Sequence, residues 1–339
     1  MPKKLSVLAL VRDIAAGNVV APALRVLHER GHKTLLLAEE GGKAKDFMTM
    51  PFTVVKDCSA LIEAVRSFRP DVIISGLSSP RALEGDLDEH AILSGISLVH
   101  IEDYWGCHTR SPYPADIYVT VDAAAGRLLH RARPGVPVAI AGFAGVVPTT
   151  PNPELARKMD ALRRRTGAKV LVYPDGGPEC EQALPMLVQS MLATRRPVLL
   201  VPKPHPKSSA LAHPEGGTWG EWCERSLEPL RNAGKVADFA EPTNEVADCA
   251  DGVAGSYGSI IMRPAIAGKL ALTLWTPAVW SLLKEETGLD CTPLMLNKTF
   301  PVLRKAQPLD DFLLGPHPTL NLKPYDARIA ADAVLLFFA

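Results

Sequence analysis

Apolar residues fall into two rhythms that alternate along the chain. Residues 5–11 (LSVLALV) form an unbroken apolar run, and VVAPALRVLHERG then repeats its apolar positions every three or four residues until Gly31. The first pattern predicts a buried strand and the second a helix. The alternation continues through KTLLLAE (33–39), FTVVKD (52–57), CSALIEAVRSFRP, DVIISGL (71–77), RALEGDLDEHAILSG and ISLVHIED (96–103), then YVTVD (118–122) and VPVAIAGFAG (136–145). Continuous Val/Ile/Leu strands separated by helices are what a parallel sheet covered on both faces requires. Every period breaks at VVPTTPNPE, which puts a hinge near 147–153. The rhythm then restarts with KVLVYPD (169–175), ECEQALPMLVQSMLATR, VLLVPK (198–203), KVADF (235–239), GVAGS (252–256), SIIMRPAIAGK and LALTLW (270–275). The predicted class is α/β, with two Rossmann-like parallel-sheet domains facing a cleft. Their bounds are 1–148 and 149–324, and a C-terminal helix, 325–339, returns to the first domain. A tail ending Leu-Leu-Phe-Phe is expected to dock on protein.

Composition narrows the partners. The chain has 339 residues, with 37 Lys and Arg against 37 Asp and Glu, so there is no blanket attraction to nucleic acid or to an anionic membrane. A local phosphate site remains open. No apolar run approaches the roughly 18 residues that span a bilayer, and the first apolar run stops at Arg12 and Asp13, as a strand does and a signal peptide does not. The six cysteines are scattered without a CxxC pair, so neither a disulfide framework nor structural zinc is expected and a reducing cytoplasm is. The aperiodic segment 207–223, with three glycines and a proline, reads as a long loop near a site.

Ligands of open parallel sheets bind beyond the carboxyl ends of the strands. The candidates there are Arg12, Asp13, Gly17 and Asn18; Gly76, Ser78 and Ser79; Glu102, Asp103, Tyr104 and Trp105; Asp175 and Gly176; Lys203, His205 and Pro206; and Ser256, Tyr257, Gly258 and Ser259. No GxGxxG, GxxxxGK[ST] or GxSxG is present, which argues against a dehydrogenase, a kinase and a nucleophile-elbow hydrolase. GSYGSI opens a predicted helix whose small residues let backbone N–H groups and the helix dipole meet a phosphate, with Ser256 and Ser259 capping the helix or binding the anion. A plain capped turn explains that loop equally well. In VPKPHP, three prolines present Lys203 and His205 stiffly at a strand end, an arrangement favouring an anion over simple packing.

The two-domain layout, AAGNVVAPALRVLHERGHKTLLL, the KPHP element and GSYGSIIMRPAIAGK together resemble GT-B-fold nucleotide-sugar enzymes, in particular bacterial capsule, teichoic-acid and sialic-acid-type transferases with an HP motif and a Ser motif. HIEDYWGCHTRSPYPADIYVTVD is similar to a segment of proteins from surface-glycan gene clusters. The resemblance implies a nucleotide-sugar donor as co-substrate with no further cofactor, and a glycan or small-molecule acceptor. It implies phosphate contacts from Lys203, His205, Ser256, Gly258 and Ser259, with Asp175 beside them in PDGG. Where many GT-B enzymes carry a Glu pair for the donor ribose, this chain has Arg263 and Pro264, so Arg263 is expected on phosphate or on a carboxylated sugar. UDP-N-acetylglucosamine 2-epimerases of the same fold carry Asp-Thr where this chain has Ser78-Ser79.

Glycosyl transfer needs a base for the acceptor hydroxyl and positive charge for the departing phosphate. The base is expected from the first domain, Asp103 before Asp13, with an N-cap as the competing role for Asp13 and an Asx turn for Asp103. Glu102 is placed on the opposite side by strand alternation. Tyr104 and Trp105 offer a flat face to a sugar ring, or else packing. No divalent metal is expected. Two other readings stay open: a nucleotide-sugar hydrolase or epimerase, and a non-catalytic assembly subunit. A homodimer is also left open.

Overall fold

A computed structural model of the protein describes residues 3–46, 48–79, 81–146 and 151–337. The chain divides into two compact units, residues 1–146, 286–288 and 322–339 in the first and 147–285 and 289–321 in the second. Residues 147–150 of the expected hinge lie outside the described residues.

The first unit runs β1 (Ser6–Val11), α1 (Ile14–Glu29), β2 (Lys33–Glu39), β3 (Thr53–Val55), α2 (Cys58–Phe68), β4 (Val72–Ser75), α3 (Leu83–Ser94), β5 (Ser97–Ile101), β6 (Ile117–Thr120), α4 (Ala123–Ala132) and β7 (Val138–Ile140). Its seven strands are parallel in the order β3-β2-β1-β4-β5-β6-β7. β1 shows why the apolar run is unbroken: Val7, Ala9 and Val11 pack with α1 on one face while Leu8 and Leu10 pack with Leu61 of α2 and Leu87 of α3 on the other. Three strand-to-helix turns share one device. Asp13, Asp57 and Asp122 each accept the backbone N–H three residues on, from Ala16, Ala60 and Ala125, at 2.8 Å. Gly17 and Asn18, expected in a strand-end loop, instead lie inside α1.

The second unit runs α5 (Pro153–Thr166), β8 (Lys169–Tyr173), α6 (Cys180–Ala193), β9 (Val198–Pro202), α7 (Trp219–Asn232), α8 (Thr243–Cys249), β10 (Gly252–Gly255), α9 (Met262–Ile266), β11 (Leu270–Leu274), α10 (Pro277–Thr287), α11 (Pro293–Leu296), β12 (Val302–Leu303) and α12 (Asp310–Leu314), with the last residues of α10 counted in the first unit. Its five strands are parallel in the order β12-β11-β10-β8-β9. Two expectations fail here. KVADF forms no strand: only Val236 makes an isolated bridge, to Leu200 on the sheet edge. The predicted helix after β10 is a 3-10 turn, Ser259–Ile261, followed by the five-residue α9, and neither carries a side-chain cap. The aperiodic segment 207–223 is ordered by His213, whose ring packs on Trp219 and Trp222 at centroid distances of 4.4 and 5.7 Å.

The chain ends in α13 (Ala327–Leu336), part of the first unit, where Ala330, Ala331 and Val334 join the core around α1. Tyr325 Oη donates to the Val19 carbonyl at 2.7 Å, and Gly142, at φ +97°, leaves room where a Cβ would lie 2.2 Å from the Pro324 oxygen. The expected docking of the whole tail is corrected at its tip: Leu336 is 78 % exposed.

Gly76, just after β4, tests the packing of the first unit. A Cβ there would lie 2.6 Å from Ala16 Cβ and 3.2 Å from Glu84 Oε1. Gly76→Ala should therefore lower unfolding stability by about 1–3 kcal/mol, read from urea melts followed by tryptophan fluorescence. A shift below about 0.5 kcal/mol would contradict this packing.

Candidate functional site

In a doubly wound sheet the connections leave to opposite sides at one pair of strands, and the loops beyond that pair part to leave a polar opening. The pair is β8 and β10 in the second unit and β1 and β4 in the first.

At the β8/β10 fork, Asp175 takes the backbone N–H of Ser256 at 2.7 Å, tying the two strand-end loops together. Gly176 brings in the third loop, from β9. A Cβ on Gly176 would stand 2.8 Å from the His205 backbone nitrogen and 2.9 Å from Ser208 Cβ. Glu179 accepts the Gly176 and Gly177 N–H groups at 3.1 and 2.9 Å, which fixes the turn. Burial, helped by the charge of Glu179, pushes the Asp175 carboxyl up to about 8 against the pull of the Ser256 hydrogen bonds.

The structure gathers Asp175, Gly176, Lys203, His205 and Ser256 through these contacts. Lys203, at the β9 exit, donates to the Phe239 carbonyl at 3.1 Å, and His205, Gly258 and Ser259 are exposed. Two expectations are corrected. Ser256 and Ser259 cap no helix, because the chain beyond them coils as a 3-10 turn. Arg263 is committed to Asp248 by Nε and Nη2 bonds of 2.9 and 2.7 Å, a paired fork facing a carboxylate of its own unit.

The β1/β4 fork of the first unit is lined with carboxylates. Asp13 caps α1, and its second oxygen takes the Ser79 N–H at 3.4 Å, so the capping role weighed for it from sequence is filled. Ser78 gives both its N–H and its hydroxyl to Glu84, at 2.9 and 2.8 Å. Glu84 is fully buried, and desolvation outweighs the nearby Arg81 charge to push its carboxyl up to about 8. Farther along α3, Asp88 accepts from Arg81, from Ser111 Oγ at 2.8 Å and lies 2.9 Å from His100 Nε2. Burial pushes Asp88 up, but His100, Arg81 and Ser111 together bring it below the usual range; burial holds His100 low and neutral.

After β5, Tyr104 and Trp105 turn inward and are 7 % and 1 % exposed. Trp105 donates its indole N–H to Asp122 at 3.0 Å and packs on Phe143, so of the two roles weighed for the pair, packing is the one seen, and the flat face for a sugar ring is not presented. Asp103 keeps 13 % of its side chain exposed, 3.9 Å from Arg110, and burial pushes it up to about 6 although Arg110 pulls it down. Glu102 directly follows β5. Its backbone N–H still donates to the Val119 carbonyl of β6 at 2.9 Å, and its buried carboxylate accepts the His108 backbone N–H at 2.8 Å. Sequence reasoning missed Glu84, Asp88, His100 and His108. A polar residue in an otherwise apolar strand (His100) and an α3 lacking an apolar stripe were the signals available.

No protein-family model and no curated protein sequence matches this chain. Solved structures do. A protein of Listeria monocytogenes assigned as a UDP-N-acetylglucosamine 2-epimerase superposes with a TM-score of 0.67 at 12 % identity, covering 99 % of this chain and 97 % of its own. HepE of Anabaena, solved with UDP and glucose, gives 0.61 at 13 %, covering 98 % and 94 %. MurG of Acinetobacter baumannii gives 0.51 at 11 %, covering 89 % and 86 %. The chain has the GT-B fold. Among the described residues, no three His, Cys, Asp or Glu side chains gather as for a metal ion, and no helix is long and apolar enough to cross a membrane.

Glu84 and Asp175 bind protons more tightly folded than unfolded. The stability each contributes is complete below the ordinary carboxylate range and is lost as pH rises toward about 8. Asp175→Asn should flatten the fall in melting temperature between pH 4 and pH 8. An unaltered slope would show that Asp175 titrates normally.

Proposed function

We propose that the protein binds a nucleotide sugar and transfers its sugar to a hydroxyl acceptor in surface-glycan synthesis. The observation that carries this reading is the three-loop junction at the β8/β10 fork, with Gly176 backbone against backbone on the KPHP loop. Lys203 supplies positive charge there and His205 an exposed imidazole, and Gly258 and Ser259 supply exposed small residues through which backbone N–H groups reach an anion. HepE, of the same fold, is a protein solved with UDP and UDP-glucose. The step also needs a proton acceptor. Asp103 is its carboxylate candidate from sequence, shifted toward neutrality; Asp13 is already committed to its cap. The six thiols are free, in keeping with a reducing cytoplasm.

The second reading, epimerisation or hydrolysis of the nucleotide sugar, is favoured by the UDP-N-acetylglucosamine 2-epimerases among the structural neighbours. Products separate the readings. Transfer releases UDP only with an acceptor, hydrolysis releases it without one, and epimerisation yields a new sugar configuration.

His205→Ala and Ser259→Ala should each weaken UDP binding about tenfold, the loss of roughly 1.4 kcal/mol in phosphate contact, while the melting temperature of the unliganded protein stays within a degree or two. Titration calorimetry reads the first and differential scanning fluorimetry the second. Parent-like affinity in both variants would place the phosphate elsewhere.

A further inference from the structure

The second unit has another charged opening, at the amino ends of its strands. Lys169 begins β8, Asp251 directly precedes β10 and Lys269 directly precedes β11. These residues, with Arg163 of α5 and His317 beyond α12, line a cavity of about 420 Å³. Its apolar lining includes Leu270 and Leu313. Asp175 and Ser256 lie at the other ends of β8 and β10, roughly 15–20 Å of strand away, so the cavity is separate from the loops of the fork.

Three of the lining side chains are cations, Arg163, Lys169 and Lys269, and one is a carboxylate, Asp251. Asp251 is fully used. It accepts Arg163 Nε and the Val170 N–H, both at 2.9 Å, and Lys169 Nζ at 3.1 Å. Burial pushes it up, but these donors together bring it below the usual carboxylate range. Arg163 is used as well, its other nitrogens going to Asp160 at 2.8 Å and to the Cys249 carbonyl at 2.6 Å.

Lys269 is different. Its half-buried ammonium donates to two backbone carbonyls, Asp248 at 2.6 Å and Ala250 at 2.9 Å, and no carboxylate pairs with it among the described residues. Burial and the Arg163 charge push it below the usual lysine range. A desolvated charge without a counter-ion is costly to hold, and this one borders an open cavity. Beside it, the exposed Lys169 spends one contact on Asp251, and the His317 ring makes no hydrogen bond among the described residues. Burial and the Lys169 charge keep His317 low, so its ring is neutral and can donate or accept.

We propose that this cavity binds a small organic phosphate, with the phosphate on Lys169 and Lys269 beside His317 and the organic body along Leu270 and Leu313. The donors left over are separate point donors, which suit a phosphate; the planar fork that would pair with a carboxylate, Arg163, is already on Asp251. The volume falls at the small end of the roughly 300–1,000 Å³ of small-molecule sites, room for a sugar phosphate and more than a bare ion fills. The inference does not depend on the nucleotide-sugar reading, since it uses none of the fork residues.

The test is a titration of the full chain with glucose 6-phosphate, followed through the backbone amides by NMR. Saturable shifts are expected at 169–171, 250–251, 268–270 and 317. Lys269→Met and Lys169→Gln should each weaken the affinity about tenfold; Lys169 is exposed, so its variant keeps the test alive if Lys269→Met does not fold. Inorganic phosphate should move the same amides with at least about tenfold lower affinity, and glucose should move none. Shifts confined to 175–177, 203–205 and 256–259 would assign the phosphate to the fork loops and overturn the inference. So would parent-like affinity in the variants that fold, equal affinity for inorganic phosphate, or no saturable shift.

Discussion

Both units are governed by the fork in a parallel sheet, where neighbouring strands send their connections to opposite sides. A sheet covered on both faces leaves its strands little polar freedom, so Val7 to Val11 is wholly apolar and Leu270 to Leu274 apolar but for Thr273, and both are almost completely buried. Polar chemistry is displaced to the strand ends, and at the forks the loops beyond neighbouring strands must be joined by something other than sheet hydrogen bonds. In the second unit that link is Asp175 to the Ser256 amide, with Gly176 holding the β9 loop at backbone distance. In the first it is Ser78, which binds Glu84 and meets the Asp13 amide at 3.2 Å.

The two forks handle charge differently. The second unit keeps its hydrogen-bond donors near the rim: Lys203 is part-buried on a carbonyl and the His205 imidazole is exposed. The first unit buries Arg81, Glu84, Asp88, His100 and Glu102, and several of their polar atoms are sealed without partners. Buried ionic groups seldom add net stability, so an array this dense at strand ends fits a requirement for chemistry better than one for folding. Within it, pairing sorts the groups. Asp88 is surrounded by donors, and Glu84 is pushed up by desolvation.

Much of this was legible from the sequence, for physical reasons. Strands buried on both faces declare themselves as apolar runs, and strand ends follow from where the runs stop; hence Asp175, Lys203, His205 and Ser256 could be named without coordinates. What failed was local. KVADF has the look of a strand, but beside the edge strand β9 it forms only one bridge, at Val236. The Ser/Gly loop resembles a helix start, yet α9 is five residues long, too short for a substantial dipole. Of the two roles open to Tyr104 and Trp105 from sequence, a face for a sugar ring or packing, the loop's reversal at Gly106 goes with packing, and both are buried. The same reversal turned Glu102 inward and hid His108, since a contact six residues apart across a left-handed glycine has no periodic signature. Arg263 found its partner in Asp248, 15 positions earlier.

The central claim is that the nucleotide phosphate rests on the three strand-end loops of the second unit. The most direct measurement is a backbone-amide map of the full chain by NMR as UDP is added. The account predicts the largest shifts at 175–177, 203–205 and 256–259. Saturable shifts centred away from these loops, or none at millimolar UDP, would contradict it.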